Sequence, residues 1–172
     1  MNDIFDKVAE DQDPIKKLIS KIPGFQGYVE RGDRRMSDKL LRETIANEYE
    51  AHYQRISGLQ RDLISQGGLA YIDDLENAAI KLRQFIDRVR TASYGYAGLF
   101  DAIKIKEEEL ATIYQYDAAL LEKGATVSAA IDNVESSIGT DGLPASIRHL
   151  ISVSQECIEI FDKRSNALKG LA

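Results

Sequence analysis

Two polar residues, Asp117 and His52, stand at positions where the spacing of the surrounding residues predicts an apolar side chain. A buried carboxylate needs hydrogen-bond donors, so we expect a tyrosine hydroxyl, a histidine or an arginine close to Asp117. His52 has Tyr49 and Tyr53 beside it. Two interpretations stay open: a polar pair that fixes the register of the helices, and a proton-handling or ligand-orienting pocket built from these four residues. The pattern favours the first.

The spacings that support metal or covalent chemistry do not occur in the sequence. A di-iron site in a helical bundle needs a glutamate three residues before a histidine. Tyr49 and Ser146 occupy those positions before the two histidines, His52 and His149. The one cysteine, Cys157, is expected to be a buried, inert thiol, and no phosphate-binding or serine-hydrolase motif is present. We therefore predict no catalytic, metal-binding or cofactor-binding residue, which favours a non-enzymatic protein.

From residue 41 onward, apolar residues recur every three or four positions in four blocks, with Arg164 as a charged exception in the last. This spacing is typical of helices with one apolar stripe, and four such stripes can close around one core. The sequence predicts an all-α fold: an antiparallel up-down four-helix bundle of long helices with a short N-terminal amphipathic helix. Residues 1–28 would form the acidic tail and the short helix, and residues 29–172 the bundle.

The helix boundaries follow from glycine and proline. We expect a short helix from Pro14 to about residue 22 and a first long helix that ends at Gly67. The second long helix should end near residue 93, and the third should span about 103–138. The fourth should begin near Pro144, after a cap at Gly139, and reach about residue 169.

The segment 94–101 is the least regular part of the interior sequence. It is predicted to be a loop, or a short helix folded across one end of the bundle. Its aromatic residues Tyr94, Tyr96 and Phe100 suit either an interface or a plug for the end of the core, and the sequence does not separate these alternatives.

Charge is distributed unevenly along the chain, whose net charge is −6. Residues 1–13 hold one base and five acids, which gives −4, while residues 14–42 hold eight bases and three acids, which gives +5. With Tyr94, Tyr96 and Phe100, these bases are the candidate interaction surface: Lys16, Lys17, Lys21, Arg31, Arg34, Arg35, Lys39 and Arg42. A nucleic acid is not an expected partner, because the whole chain is acidic and no aromatic stacking platform accompanies the bases.

The location expected from the sequence is the cytoplasm. No apolar run approaches the length of a membrane span, and the N-terminus is acidic where a secretory signal would be basic. The amphipathic stretch 15–22 suits the protein's own bundle, a partner or a membrane surface.

Several short segments resemble an uncharacterised family of bacterial helical-bundle proteins over about residues 18–120. These segments are Ile22-Pro23-Gly24-Phe25-Gln26-Gly27-Tyr28, Asp33-Arg34-Arg35, Asp38-Lys39-Leu40-Leu41-Arg42 and Tyr94-Gly95-Tyr96-Ala97-Gly98-Leu99-Phe100-Asp101. The resemblance implies a bacterial protein associated with envelope-stress systems of the phage-shock type. It brings no catalytic residues.

Three functions follow from these patterns. The leading expectation is a non-enzymatic helical module that binds a protein partner, with a homodimer as one form. The first alternative is a small-molecule-binding or enzymatic bundle with a polar pocket around Asp117 and His52. The second is a peripheral membrane protein anchored by its N-terminal amphipathic helix.

Overall fold

The structure is a computed structural model that describes residues 14–102 and 107–170, with side chains described for 14–92 and 108–170. Within these ranges the protein is helical and has no β-strand, which confirms the predicted all-α class. The predicted acidic tail, residues 1–13, lies outside them. The α-helices are α1 (Pro14–Lys21), α2 (Phe25–Glu30), α3 (Arg34–Ser65), α4 (Ile72–Ala102), α5 (Glu107–Ser137) and α6 (Leu143–Lys169), with a 3-10 helix at Leu69–Tyr71.

Most ends of the long helices lie where local sequence signals predict them. Helix α3 begins after Asp33, whose carboxylate accepts a hydrogen bond from the Met36 backbone N–H at 3.1 Å. It ends before Gly67, which has a φ of 80°, a left-handed conformation that glycine adopts without strain. Pro144 lies in the first turn of α6, where its missing N–H costs no helical hydrogen bond.

The boundary expected near residue 93 is wrong. Helix α4 continues to Ala102, so the segment 94–101 is neither a loop nor a separate short helix. A glycine inside a helix costs only about 1 kcal/mol relative to alanine, and the long preceding helix propagates through both glycines of this segment. The side chains of Tyr94, Tyr96 and Phe100 lie outside the described residues, so their role stays a prediction.

One main core runs between the long helices. Helix α3 contacts α4 and α5, and α6 contacts the same two helices. Most residues of the predicted apolar stripes are buried in this core: Leu41, Ile45, Tyr49, Ile56, Leu59 and Leu63 of α3, Leu75, Leu82, Ile86 and Val89 of α4, Leu120, Val127, Ile131 and Val134 of α5, and Ile147, Leu150, Cys157 and Phe161 of α6. Phe85, Tyr114 and Leu121 are buried beside these stripes. The helical faces that the sequence predicts are therefore the faces that pack.

The short N-terminal helices dock on this core. Helix α1 contacts α5, and α2 contacts α3. Leu18, Ile22 and Phe25 are completely or almost completely buried in the main core, and the Lys17 ammonium lies 3.2 Å from a Glu122 carboxylate oxygen of α5. Two turns of helix are marginal alone, so α1 is held by these tertiary contacts. No helix in the described part of the chain is long and apolar enough to cross a membrane.

Candidate functional site

Four charged side chains meet inside the protein and form what we call the polar cluster: Asp38 and Arg42 of α3, Asp117 of α5 and Arg164 of α6. None of these residues is more than 5% exposed. Burying a charge is costly unless an opposite charge and hydrogen bonds compensate. Two carboxylates facing two guanidinium groups meet that condition, and their formal charges cancel.

Arg164 is the centre of the polar cluster and is fully buried. Its Nε donates to Asp117 Oδ1 at 2.7 Å, and its Nη2 donates to Asp38 Oδ1 at 2.5 Å. Its Nη1 is buried without a hydrogen-bond partner. The guanidinium therefore joins α6 to both α5 and α3, and it is the arginine expected beside Asp117.

Arg42 belongs to the polar cluster and not to the exposed surface on which the sequence predicted it. Its Nε donates to Asp38 Oδ2 at 2.7 Å, one helical turn away, and its Nη1 donates to the Val89 carbonyl of α4 at 3.3 Å. The prediction failed because Arg42 follows Leu41 on the buried side of α3, where a long side chain reaches both a carboxylate and a neighbouring helix. With this bond the polar cluster connects all four long helices.

Burial dominates the electrostatics of the polar cluster. Desolvation raises the pKa of Asp117 to about 6, even though Arg164 lowers it and Asp38 adds a smaller increase. Burial also raises the pKa of Tyr114 to about 12, with a further contribution from the carboxylates of Asp117 and Asp38. Both carboxylates already bind guanidinium groups and are closed to solvent. This arrangement cross-links helices and offers no accessible base or nucleophile.

Tyr49 and Cys157 form a second, neutral polar contact in the core. The Tyr49 hydroxyl donates to the Leu120 carbonyl at 2.7 Å. The Cys157 sulfur lies 3.7 Å from that hydroxyl and 3.3 Å from the Val153 carbonyl. Burial raises the pKa of the thiol to about 12, so it is not a thiolate at neutral pH. Cys157 is therefore a packing residue with very low nucleophilicity.

His52 lies beside this contact, where α3 passes α5. Its ring meets the Tyr49 ring edge-on at 5.7 Å, and its Nε2 is buried without a hydrogen-bond partner, 3.9 Å from Glu48 Oε1. Burial and then the nearby Arg55 charge lower the pKa of His52, while a hydrogen bond to the backbone of Gly124 opposes them. Gly124 also makes room for Glu48, because a Cβ at this position would overlap its carboxylate.

The four residues of the predicted pocket do not converge on one site, although the rings of Tyr49 and His52 are in contact. Asp117 contacts Arg164, whereas His52 contacts Gly124, two turns further along α5 and about 10 Å away. Tyr49 bonds to Leu120, which lies between these levels, and Tyr53 packs under the guanidinium of Arg83 at 4.1 Å. Within the described residues, no group of three or more histidine, cysteine, aspartate or glutamate side chains is arranged to hold a metal ion.

The sequence analysis did not identify Asp38 or Arg164 as site residues, and it assigned Arg42 to the surface. Two signals were available: Arg164 interrupts the apolar stripe of α6, and Asp38 precedes Arg42 by four residues, a spacing that brings the two side chains together. Neither signal identifies which helices meet, because the stripes describe each helix separately.

The other predicted surface bases lie on α1, on α3 or between α2 and α3. Lys17 and Arg34 are half-buried, and Arg31 covers the Tyr28 ring at 4.9 Å. Five bases are exposed, and we call them the basic surface: Lys16, Lys21, Arg31, Arg35 and Lys39.

Comparisons with protein-family models, curated proteins and solved structures find no match to this chain. The resemblance to bacterial helical proteins therefore stays a prediction.

Proposed function

We propose that this protein is a non-enzymatic helical module that binds an acidic protein surface through its basic surface. The observation that carries the proposal is the contrast between interior and exterior charge. Inside, Asp38 and Asp117 are paired with Arg42 and Arg164 and closed to solvent. Outside, five bases of the 14–42 region are exposed. The buried charges of the polar cluster therefore stabilise the fold, and the exposed bases are the charges that a partner can reach.

The basic surface has the composition of a docking site for a negatively charged partner. Lys16 and Lys39 make no ion pair with any described residue, and the Lys21 charge acts on the half-buried carboxylate of Glu48. Exposed charges of this kind accelerate association and select partners more than they add affinity, so we expect binding that weakens as salt rises. Between α1 and α3 along the chain, Arg31 and Tyr28 add a cation–aromatic pair.

Matched charge reversals test this proposal. Lys21→Glu with Lys39→Glu should lose proteins captured by the full-length chain from its host at low salt. Arg61→Glu with Arg148→Glu makes the same charge change at exposed positions, distant from Lys39 along the long helices, and should retain them. If both variants lost the captured proteins equally, net charge alone would explain the binding. If neither variant lost them, the proposed surface would be refuted.

We also propose that the four long helices form an antiparallel up-down bundle in the cytoplasm. Gln60 bonds to Glu76 near the α3–α4 turn, whereas Asn47 bonds to Arg90 far from it, as in an antiparallel pair. Asp117 with Arg164 and Lys123 with Glu156 give the same direction for α5 and α6. An association with bacterial envelope stress is part of this proposal only through the sequence resemblance.

Membrane anchoring is the less favoured alternative, because Leu18 and Ile22 of the amphipathic face are buried in the main core. Flotation with anionic vesicles distinguishes it. Strong binding that is lost when residues 1–25 are deleted would make the membrane reading the better one, provided that circular dichroism shows the deletion variant to be folded.

A further inference from the structure

The turn between α3 and α4 carries a second unusual surface, at the opposite end of α3 from Arg35 and Lys39. The large apolar side chains that are exposed among the described residues are Ile64 at 56%, Leu69 at 67% and Ile80 at 55%. Two of them flank this turn. An exposed apolar patch with a polar rim is typical of an interaction site.

The rim of this patch is acidic. Asp62, Asp73, Asp74 and Glu76 are all exposed, and Arg61 is the exposed base among residues 60–80. The bond from Gln60 Nε2 to Glu76 Oε2, at 2.6 Å, holds the end of α3 beside the start of α4, so these acids lie at one end of the helix pair. We call Asp62, Ile64, Leu69, Asp73, Asp74 and Glu76 the acidic tip.

The acidic tip and the basic surface cannot meet within one molecule. Lys39 and Asp62 lie on the same continuous helix, 23 residues apart in sequence, which corresponds to about 35 Å. Lys21 lies nearer, because its charge acts on Glu48, which precedes Asp62 by 14 residues or about 21 Å along the helix. Both separations are more than twice the screening length of about 8 Å at physiological salt. Neither surface therefore neutralises the other in the same molecule, and each is complementary to the other in a second copy.

We propose that the acidic partner of the basic surface is the acidic tip of a second copy of this chain. The proposal rests on the function proposed above and names its partner. Opposite charges steer the two copies together, and Ile64 and Leu69 supply apolar area that charge pairs alone do not. Tyr28 and Val29, both half-buried on α2 beside the bases, are the apolar side chains available on the opposing surface. A contact between two different patches closes into a dimer or ring, or continues as a filament.

A complementation experiment with the full-length chain tests this contact. One variant carries Lys21→Glu and Lys39→Glu, and the other carries Asp73→Lys and Asp74→Lys. Sedimentation velocity over a concentration series, up to the order of 100 µM, should show self-association of the unmodified chain that decreases with salt. Each variant alone should associate more weakly than the unmodified chain, by roughly tenfold at least. An equimolar mixture should recover association, because the basic ends of one variant face the acidic ends of the other.

Two further proteins keep the result interpretable. Reversing charge in the first turn of α4 also weakens that helix end, so Ile64→Ser with Leu69→Ser provides a tip variant with no charge change, and it should also associate more weakly. Glu159→Lys, at an exposed position of α6, is the control and should associate like the unmodified chain.

The proposed contact would be overturned if the unmodified chain were monomeric at low salt, or if the mixture did not recover association. Neither result would contradict the proposal that the basic surface binds an acidic protein. A monomeric chain that still captures another acidic protein, and loses it on Lys21→Glu with Lys39→Glu, would keep the basic surface and replace its partner.

Discussion

The core is interrupted by polar side chains at two levels, and the two are built in different ways. Around Arg164, full charges are buried, and each carboxylate is paired with a guanidinium. Around Tyr49, the groups are neutral, and the hydroxyl donates a hydrogen bond to the Leu120 carbonyl. A buried ion pair contributes little net stability while intact but is costly to break, whereas a neutral hydrogen bond is worth about 1 kcal/mol. We therefore expect the first level to specify which helices meet, and the second mainly to fill space.

The largest effect expected from this difference is that of Arg164→Ala. Removing the guanidinium leaves Asp117 and Asp38 buried without their shared partner, and the free energy of unfolding should fall by about 3–5 kcal/mol. Urea denaturation followed by circular dichroism measures it. Glu159→Ala, at an exposed position of the same helix, should stay within about 0.5 kcal/mol of the unmodified protein. A loss below about 1 kcal/mol for Arg164→Ala would mean that water enters the site and solvates the carboxylates of Asp117 and Asp38.

The second effect is a pH dependence that belongs to Asp117. Its folded pKa, about 6, lies above the ordinary value of 3.8, so folding favours the protonated form. Its contribution to stability is complete below about pH 3.8 and is lost as pH rises through about 6. The size of this contribution is ~3 kcal/mol at most. As pH falls from 7 to 4, the free energy of unfolding of the unmodified protein should therefore rise relative to that of Asp117→Asn.

The control for this pH dependence is Asp74→Asn, which removes an exposed carboxylate from the first turn of α4. Because Asp74→Asn keeps Asp117, this variant should also gain stability relative to Asp117→Asn over the same pH range. A constant difference between Asp117→Asn and the unmodified protein would show that the Asp117 carboxyl has the same pKa in the folded and unfolded states.

At the neutral level the expected cost is smaller. Tyr49→Phe removes the hydrogen bond to Leu120 and should lower the free energy of unfolding by about 0.5–1.5 kcal/mol. Tyr28→Phe, at a half-buried position on α2, provides the matched removal of a hydroxyl and should have a smaller effect. If Tyr49→Phe cost as much as Arg164→Ala, the distinction between the charged and neutral levels would be lost.

The smallest effect is expected at His52. Burial lowers its pKa below the ordinary 6.5, so the folded protein favours the neutral ring. The corresponding stability is present above about pH 6.5 and declines as pH falls below it, opposite in direction to Asp117. An NMR titration of the His52 ring should give an apparent pKa below 6.5, and His52→Gln should remove this acid sensitivity. A ring that titrates above that value would indicate that Glu48 dominates over burial.

The sequence alone determined the helical class, most of the helix ends and the buried stripes. These features depend on local chemistry: the period of 3.6 residues, the capping carboxylate of Asp33 and the left-handed φ at Gly67. The prediction was wrong at the segment 94–101, where two glycines indicate a break in the helix. The long helix continues through them because each costs only about 1 kcal/mol. Asp117 could be selected as a buried acid because it interrupts a stripe.

Only the tertiary structure decided which residues form the polar cluster. Asp38 and Asp117 are 79 positions apart in the chain, and Arg164 bridges them because α3, α5 and α6 pack with particular rotations about their axes. Arg42 has the composition of a surface residue, yet it lies inside because a carboxylate one turn away and a carbonyl of α4 compensate its charge. Periodicity identifies the face that each helix buries. The partners across that face depend on relative helix rotation and on whether each buried charge finds an opposite one, and neither quantity is local.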